Sequence, residues 1–370
     1  MGLGVLERMK MVVTMKTNMN KKIGYHITHN DADAVGCAYV AHYIDMDLPL
    51  YEERVKIDFK DRTYFCSIGS QDKVVEDIYN DIMSGNKPKP EIFIVSDISI
   101  SEESCELLEK LSVDFGTEIL GFDHHKTNNL NEKYSWFHVI KDPAILDDGR
   151  MVPISASMYM LRWLSDQDRL PDIDSIYFIY EQILAISDYD VWNWKNLPGN
   201  YGQDQGYDAD ITAIVCRVLG PELMLNTLIY DEGEERYPNE WDIIYRAEKV
   251  SMNKYLKSVP NKTRVYSGHS GYNIALIIGE NQFANAAAEL IGSEYSVDGV
   301  MMIFPSTNSV GLRTKRTNLD LSSHAKKYFN GGGHPQASGG RLDDNEFLEL
   351  LKIFYTDSLS LEEFISNNNK

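Results

Sequence analysis

Cysteine is scarce in this sequence. Four stand among 370 residues, at positions 37, 66, 105 and 216, and no Cys-x-x-Cys occurs. That spacing indicates neither a disulfide framework nor a zinc ribbon, and it fits a reducing cytoplasm. Cations are also few, with 36 Lys and Arg against 56 Asp and Glu and a net charge of −20. Neutralising a long run of phosphates takes a basic stripe, so this balance speaks against a duplex-binding surface. No apolar run approaches the roughly 18 residues needed to cross a bilayer. The first residues lack both a secretory apolar core with a cleavage site and the Ser or Thr that N-myristoylation wants at the sixth position. Methionines at 1, 9, 11, 15 and 19 make residues 1–21 read as a peripheral tail that could contain the true start codon.

What is present is an ordinary globular balance, 43% hydrophobic and 25% charged, with length enough for two domains. Strand candidates at 23–29, 63–68, 91–97 and 117–122 alternate with helix candidates at 34–44, 72–83 and 101–111. Ile92-Phe93-Ile94-Val95 is the near-continuous apolar run expected of a parallel strand covered on both faces. The alternation implies an α/β fold with a doubly wound, mainly parallel sheet over residues 22–230. Its second half reads as helical, with helices at 154–164 and 173–185, the latter followed by a polar turn, Ile186–Trp192. The acidic stretch 231–239, which contains Gly and Pro, reads as a linker and 241–256 as a connecting helix. Together they make a helical linker over 231–260. A smaller α/β C-terminal domain then spans 261–365.

In open parallel sheets, ligands gather beyond the carboxyl ends of the strands. His29, Asp97 and Asp123-His124-His125 fall at such ends. In an extended segment, His29-x-Asp31-x-Asp33 turns one imidazole and two carboxylates the same way, a mixed N/O set suited to manganese and similar ions. Each group also has a plainer reading. Asp31 or Asp33 could cap a helix, Asp97 could cap the next one, and Asp123-His124-His125 could be a polar turn. Asp188 and Asp190 could likewise form a capping turn. Together, His29, Asp31, Asp33, Asp97, His124 and Asp188 are about as many ligands as two divalent ions need when one carboxylate bridges. In the C-terminal domain, Gly331-Gly332-Gly333 could bring backbone N–H groups close to an anion, or could form a flexible surface loop. Arg313, at a strand end, suits bidentate phosphate contact or a surface salt bridge, and Arg316 could serve instead.

In this order, His29-Asn30-Asp31-Ala32-Asp33, Asp97, Asp123-His124-His125 and Asp188 resemble the four motifs of the DHH phosphoesterases. Gly331-Gly332-Gly333-His334, with Ala337 and Gly339, resembles the signature of the DHH-associated C-terminal domain. The resemblance covers about residues 22–341. Asp188-Tyr189-Asp190-Val191-Trp192 and Val35-Gly36-Cys37 look most like the NrnB-type oligoribonuclease branch. Ala34 departs from the glycine that many members carry after the second aspartate.

The resemblance implies two divalent ions, Mn2+ first, with Mg2+ or Co2+ as alternatives. His29 and Asp31 would hold one, Asp33 and His124 the other, with Asp97 bridging and Asp188 completing the second site. Asp123 and His125 would orient ligands or touch phosphate. Asp190 lies outside the implied ligand set. Arg313, Gly332, Gly333 and His334 would grip the substrate in a cleft between the domains. The implied activity is a two-metal phosphodiesterase that cuts short single-stranded oligonucleotides to mononucleotides. A cyclic-nucleotide or cyclic-dinucleotide phosphodiesterase, a 3′-phosphoadenosine 5′-phosphate phosphatase and a non-catalytic nucleotide sensor are the alternatives. No membrane or long duplex is expected as a partner, and a homodimer is compatible with the sequence.

Overall fold

The computed structural model describes residues 22–48, 53–125, 128–145, 149, 151–170, 173–191, 193, 202–230, 239–267, 272–316 and 318–356. The expectations for the tail 1–21, for the linker 231–238 and for Trp192 lie outside them. The chain divides into two units, Met1–Tyr245 and Arg246–Lys370.

The first unit begins with β1 (Lys22–Thr28) and α1 (Ala32–Ala41), then β2 (Asp45–Leu48), β3 (Glu53–Asp58), β4 (Thr63–Phe65) and α2 (Gln71–Met83). It continues through β5 (Ile92–Ser96), α3 (Glu102–Phe115), β6 (Glu118–Asp123), β7 (Phe137–Val139), and a small hairpin of β8 (Ala144–Ile145) and β9 (Met151–Val152). The helices α4 (Ala156–Asp166), α5 (Ile173–Asp190), α6 (Gly202–Leu219) and α7 (Pro221–Tyr230) follow. The main sheet has the order β2-β3-β1-β5-β6-β7, with β4 also pairing β1. Its pairs are parallel except β2 with β3.

The strand β5 shows why the sheet is covered on both faces. All five of its residues are buried. Ile92 and Ile94 enter a core shared with α1, α4, α5, α6 and α7, whereas Phe93 and Val95 enter a second core with α2 and α3. Successive side chains of a strand point to opposite faces, so an unbroken apolar run requires helices on both. Two features depart from the sequence expectation. The edge strand β2 and its neighbour β3 give no sequence signal, because charged residues fill two of the four positions of β2 and four of the six of β3 and hide any apolar run. Helix α5 also runs on through the supposed polar turn to Asp190. No described helix is long and apolar enough to cross a membrane. All four cysteines are buried and free.

Helix α8 (Asn239–Leu256) crosses the boundary between the units. Its Trp241 is fully buried in the first unit's core, while Tyr255 and Leu256 pack in the second unit's. The helix thus contributes side chains to the first unit's core near its start and to the second unit's core near its end.

The second unit holds β10 (Thr263–Ser267), β11 (Asn273–Ile278), α9 (Ala284–Glu294), β12 (Gly299–Phe304), β13 (Ser309–Arg313), α10 (Leu321–Phe329), β14 (Gly332–His334), β15 (Ala337–Arg341) and α11 (Asp344–Thr356). The sheet order is β10-β11-β12-β13-β15-β14, with β11 and β12 parallel and the other pairs antiparallel. Leu276, Met301 and Ile303 face α10 and α11, and Ala275, Ile277, Val300 and Met302 face α9. The glycine run is not a loop. Gly332, Gly333 and His334 pair with Gly339, Ser338 and Ala337. A Cβ on Gly340 would meet the Phe329 carbonyl oxygen at 2.3 Å, and one on Gly331 would meet the Gly339 carbonyl oxygen at 1.8 Å. Tight backbone packing thus accounts for these two glycines.

Candidate metal centre

The carboxyl ends of β1, β5 and β6 lie side by side, since Thr28 pairs with Ser96 and Ser96 with Phe122. The residues just past those ends therefore meet. His29 Nδ1 lies 2.8 Å from Asp31 Oδ2. Asp31 is also the N-cap of α1, its Oδ1 accepting from the Ala34 N–H at 3.0 Å. The capping reading and the ligand reading of that residue thus coexist. His29, Asp31 and Asp97 offer donor atoms within 4.8 Å of one another, and Asp33, His124 and Asp190 form a second such group. Asp97 adjoins both, because His124 Nε2 lies 3.5 Å from Asp97 Oδ1 and 3.3 Å from Asp190 Oδ2.

The carboxylates of this cluster are not alike. Asp33, on the first turn of α1, is saturated by the start of α4. Its Oδ2 accepts from the Ala156 N–H at 2.9 Å, and its Oδ1 from the Ser157 N–H at 3.2 Å and the Ser157 hydroxyl at 2.5 Å. Ser157 is linked in turn to Ser155, and the Ser155 N–H donates to the Ser187 hydroxyl on α5. Asp123 is equally well served. Its Oδ1 accepts from the backbone N–H groups of His124 and His125 and lies 2.7 Å from His125 Nδ1, while its Oδ2 accepts from Asn128 Nδ2 at 2.5 Å. Burial works to raise the Asp123 carboxyl, but these partners hold it down at about 2.

Asp97 and Asp190 are in a different condition. Both have a buried Oδ2 with no hydrogen-bond partner. Burial, with the charges of Asp31, Asp33 and Asp190, pushes Asp97 far above the usual carboxylate range. Burial, with the charges of Asp33 and Asp31, does the same to Asp190. Asp97 also sits at φ +54°, a left-handed conformation that aspartate tolerates better than most residues. A buried carboxylate oxygen without a donor is costly. Two such carboxylates beside the His124 imidazole, with Asp31, Asp33 and His29, form a donor set that fits divalent cations of the manganese type. The two histidines also differ. Burial lowers His124, as suits a neutral ligand. Burial would lower His125 too, but the Asp123 hydrogen bond and the charges of Asp123, Asp190 and Asp31 carry it up to about 9.

Of the expected ligands, His29, Asp31, Asp33, Asp97 and His124 are brought together, and Asp188 is not among them. Residues two apart on a helix project to opposite sides. Because α5 continues through both, Asp190 joins Asp33 and His124, while the Asp188 carboxylate accepts from Asn193 Nδ2 at 3.2 Å. Residues 186–190 continue α5 and do not form the turn expected there, which sets Asp188 apart from Asp190. Asn128, Ser157 and the α4 N-terminus were missed altogether. Ser157 and the α4 N-terminus meet Asp33 across more than 120 residues and leave no local signal, whereas Asn128 stands five residues past Asp123, beside the triplet.

In the second unit, Arg313 Nε donates to Asn285 Oδ1 at 2.7 Å, and its Nη1 donates to the carbonyls of Leu312 and Ser338. His334 lies at the same edge of the sheet, since both residues pair with Ala337. Arg316 forms an ion pair with Asp298 instead.

Comparison with known proteins adds the following. No family model matches the chain. It is 22% identical over 343 residues to oligoribonuclease NrnB of Bacillus subtilis strain 168, covering 91% of this chain and 77% of that protein. It is 20% identical over 389 residues to a 3′,5′-cyclic-nucleotide phosphodiesterase of Helicobacter pylori strain ATCC 700392 / 26695, covering 93% and 99% respectively. A solved structure described as the DHH domain of a member of a family of ribosomal proteins superposes with a TM-score of 0.58 at 15% identity, over 92% of this chain and 87% of that one. That likeness shows the fold.

Proposed function

Since this chain belongs to the DHH phosphoesterase superfamily, we propose that it is a phosphodiesterase dependent on two divalent ions, Mn2+ in the first place, that degrades short single-stranded oligonucleotides to mononucleotides. The observation that carries the reading is the pair of buried, donor-less oxygens, Asp97 Oδ2 and Asp190 Oδ2, on two carboxylates that approach His124 Nε2 at 3.5 and 3.3 Å. Folding alone does not repay such an arrangement, whereas cations would.

His29, Asp31 and Asp97 would hold one ion, and Asp33, His124 and Asp190 the other, with Asp97 shared. Bound there, the ions would supply Lewis acidity toward phosphate oxygens and lower the pKa of an attacking water. The side chains do the rest. The α4 N-terminus and Ser157 fix Asp33, and Asp123 fixes the His125 ring. In the metal-free chain, against the effect of burial, the Asp123 hydrogen bond and the charges of Asp123, Asp190 and Asp31 raise the His125 ring, and Asp123 turns it to orient ligands or touch the substrate phosphate. Arg313, Gly332, Gly333 and His334 are assigned to gripping the substrate's phosphate, with Asn285 holding Arg313 in one orientation. An acidic chain suits short substrates, whose few phosphates need little neutralisation.

A second reading is a cyclic-nucleotide phosphodiesterase, favoured by the relative of that name, which the match covers over 99% of its length. Both readings use the same metal centre and differ in the ring they must accommodate. Incubation with Mn2+ and either a dinucleotide RNA or 3′,5′-cyclic AMP, with products resolved by chromatography, separates them. Mononucleotides from the dinucleotide, with the cyclic substrate intact, are expected. Ring opening alone would shift the assignment, and turnover of neither would remove it.

A further inference from the structure

The second unit contains an open-sided cavity of about 550 Å³ whose lining includes Lys262, Arg264, Ile278, Glu280, Ser306 and Phe354. Its place in the sheet is informative. The strands β11 and β12 are the parallel pair, and they end at Ile278 and Phe304. Ile278, Glu280 and Ser306 therefore wall the cavity at the carboxyl ends of the two parallel strands, where open sheets put their ligands. Arg313 pairs with Val300 and Ser309 with Phe304, so Arg313 and His334 occupy the opposite edge. Four residues of strand, roughly 13 Å, separate the two edges.

The chemistry of the lining is that of an anion site with an apolar wall. The Arg264 guanidinium lies 5.3 Å over the Phe354 ring, and its Nη1 donates to the Thr263 carbonyl at 3.0 Å, which fixes its plane. Lys262 Nζ lies 5.7 Å from the centre of the Tyr255 ring. Neither cation has an acidic partner among the described residues, in a chain of net charge −20. Such cations are suited to a phosphate. A cavity of this size takes more than a phosphate, and Ile278 and Phe354 give it an apolar side. Glu280 is the acidic residue of the lining, its Oε2 accepting from Gln282 Nε2 at 3.1 Å. A carboxylate so placed repels a bare anion but accepts hydrogen bonds from ribose hydroxyls.

We propose that this cavity is a second ligand site that takes a nucleoside monophosphate. The phosphate lies on Lys262 and Arg264, the ribose hydroxyls toward Glu280 and the base against Ile278. The inference does not depend on the proposed reaction, because every group in it belongs to the second unit and stands at the edge away from Arg313.

The test is equilibrium binding of AMP to the full chain in EDTA, which keeps divalent ions from capturing the phosphate. A saturable site that survives Arg313→Ala is expected. A Lys262→Ala/Arg264→Ala double variant should weaken it at least about tenfold, equivalent to ~1.4 kcal/mol. Ser306→Trp, which fills the cavity from its solvent side, should weaken it as much. Lys262, Arg264 and Ser306 are exposed and Arg313 is half-buried, and circular dichroism checks that each variant is folded. Inorganic phosphate and adenosine should each bind at least about tenfold more weakly than AMP. The proposal is overturned by AMP binding that is equal in wild type and the double variant, by binding that vanishes with Arg313→Ala, by phosphate binding as tightly as AMP, or by the absence of AMP binding.

Discussion

At the carboxyl edge of the first sheet, Asp97 and Asp190 each keep a buried oxygen without a donor, among other carboxylates. At the glycine hairpin of the second sheet, Gly332–His334 is paired residue by residue with Ala337–Gly339, and Arg313 donates to Asn285 and to two carbonyls. Both regions looked functional for the same reason, an unusual run of residues at a strand end. In the first, the residue types work against the fold and need something external to complete them. In the second, Gly331 and Gly340 are explained by close backbone contact alone. Any binding at the hairpin must use what packing leaves over.

The largest expected effect breaks that comparison at its sharpest point. Asp97→Asn keeps a side chain that tolerates φ +54° but removes the charge. Turnover of a dinucleotide in Mn2+ should fall by about a thousandfold or more, comparable to losing a key electrostatic group. The melting temperature in EDTA should hold or rise, because like-charge repulsion is relieved. By contrast, Asp33→Ala should lose activity and also destabilise the metal-free protein by about 2–4 kcal/mol, since Ala156 and Ser157 are left without their acceptor. Equal stability changes in the two variants would erase the distinction between a carboxylate that the fold itself satisfies and one that it leaves without a donor.

Next comes Gly340→Ala, which forces a Cβ to 2.3 Å from the Phe329 carbonyl oxygen and should cost about 3 kcal/mol or more in chemical unfolding. Gly332→Ala meets nothing within 4 Å and should leave stability unchanged. If its backbone approaches phosphate, KM should still rise a few fold, and an unchanged KM would make the glycine run purely structural.

Asp190→Asn and Asp188→Asn divide a smaller question. The first should weaken Mn2+ binding by about a hundredfold. The second should leave it within about twofold, because its carboxylate faces Asn193. The reverse result would restore the ligand set read from the sequence.

The smallest effect is in pH dependence. His125 stands near 9 in the folded chain against an ordinary 6.5, so the stability its charge contributes is full below about pH 6.5 and is lost as pH rises through 9. Urea unfolding in EDTA should show a decline of at most about 3 kcal/mol over that window. His125→Gln should flatten it.

How much of this was legible in the sequence follows from how local each signal is. The run Ile92–Val95 disclosed a strand buried on both faces, because its cause is a period of two residues. The Asp123-His124-His125 triplet was equally local, and the sheet register places it beside His29 at one edge; the extended reading of His29-x-Asp31-x-Asp33 fails, because α1 begins at Ala32 and Asp33 joins His124 and Asp190 from a helical turn. Asp190 depended on where α5 ends, which a polar sequence on an apolar helix conceals. The bond from Asp33 to Ser157 joins residues 124 apart, so no local pattern could announce it. The glycines showed that backbone must come close to something, without saying whether to an anion or to its own sheet.

One measurement tests the metal centre most directly: calorimetric titration of the EDTA-stripped, dialysed protein with Mn2+. Two ions per chain are expected in the wild type, with both sites weakened in Asp97→Asn and one in Asp190→Asn. A wild-type chain that takes up no Mn2+, or an Asp97→Asn chain that binds it as the wild type does, would contradict a centre built on those two carboxylates.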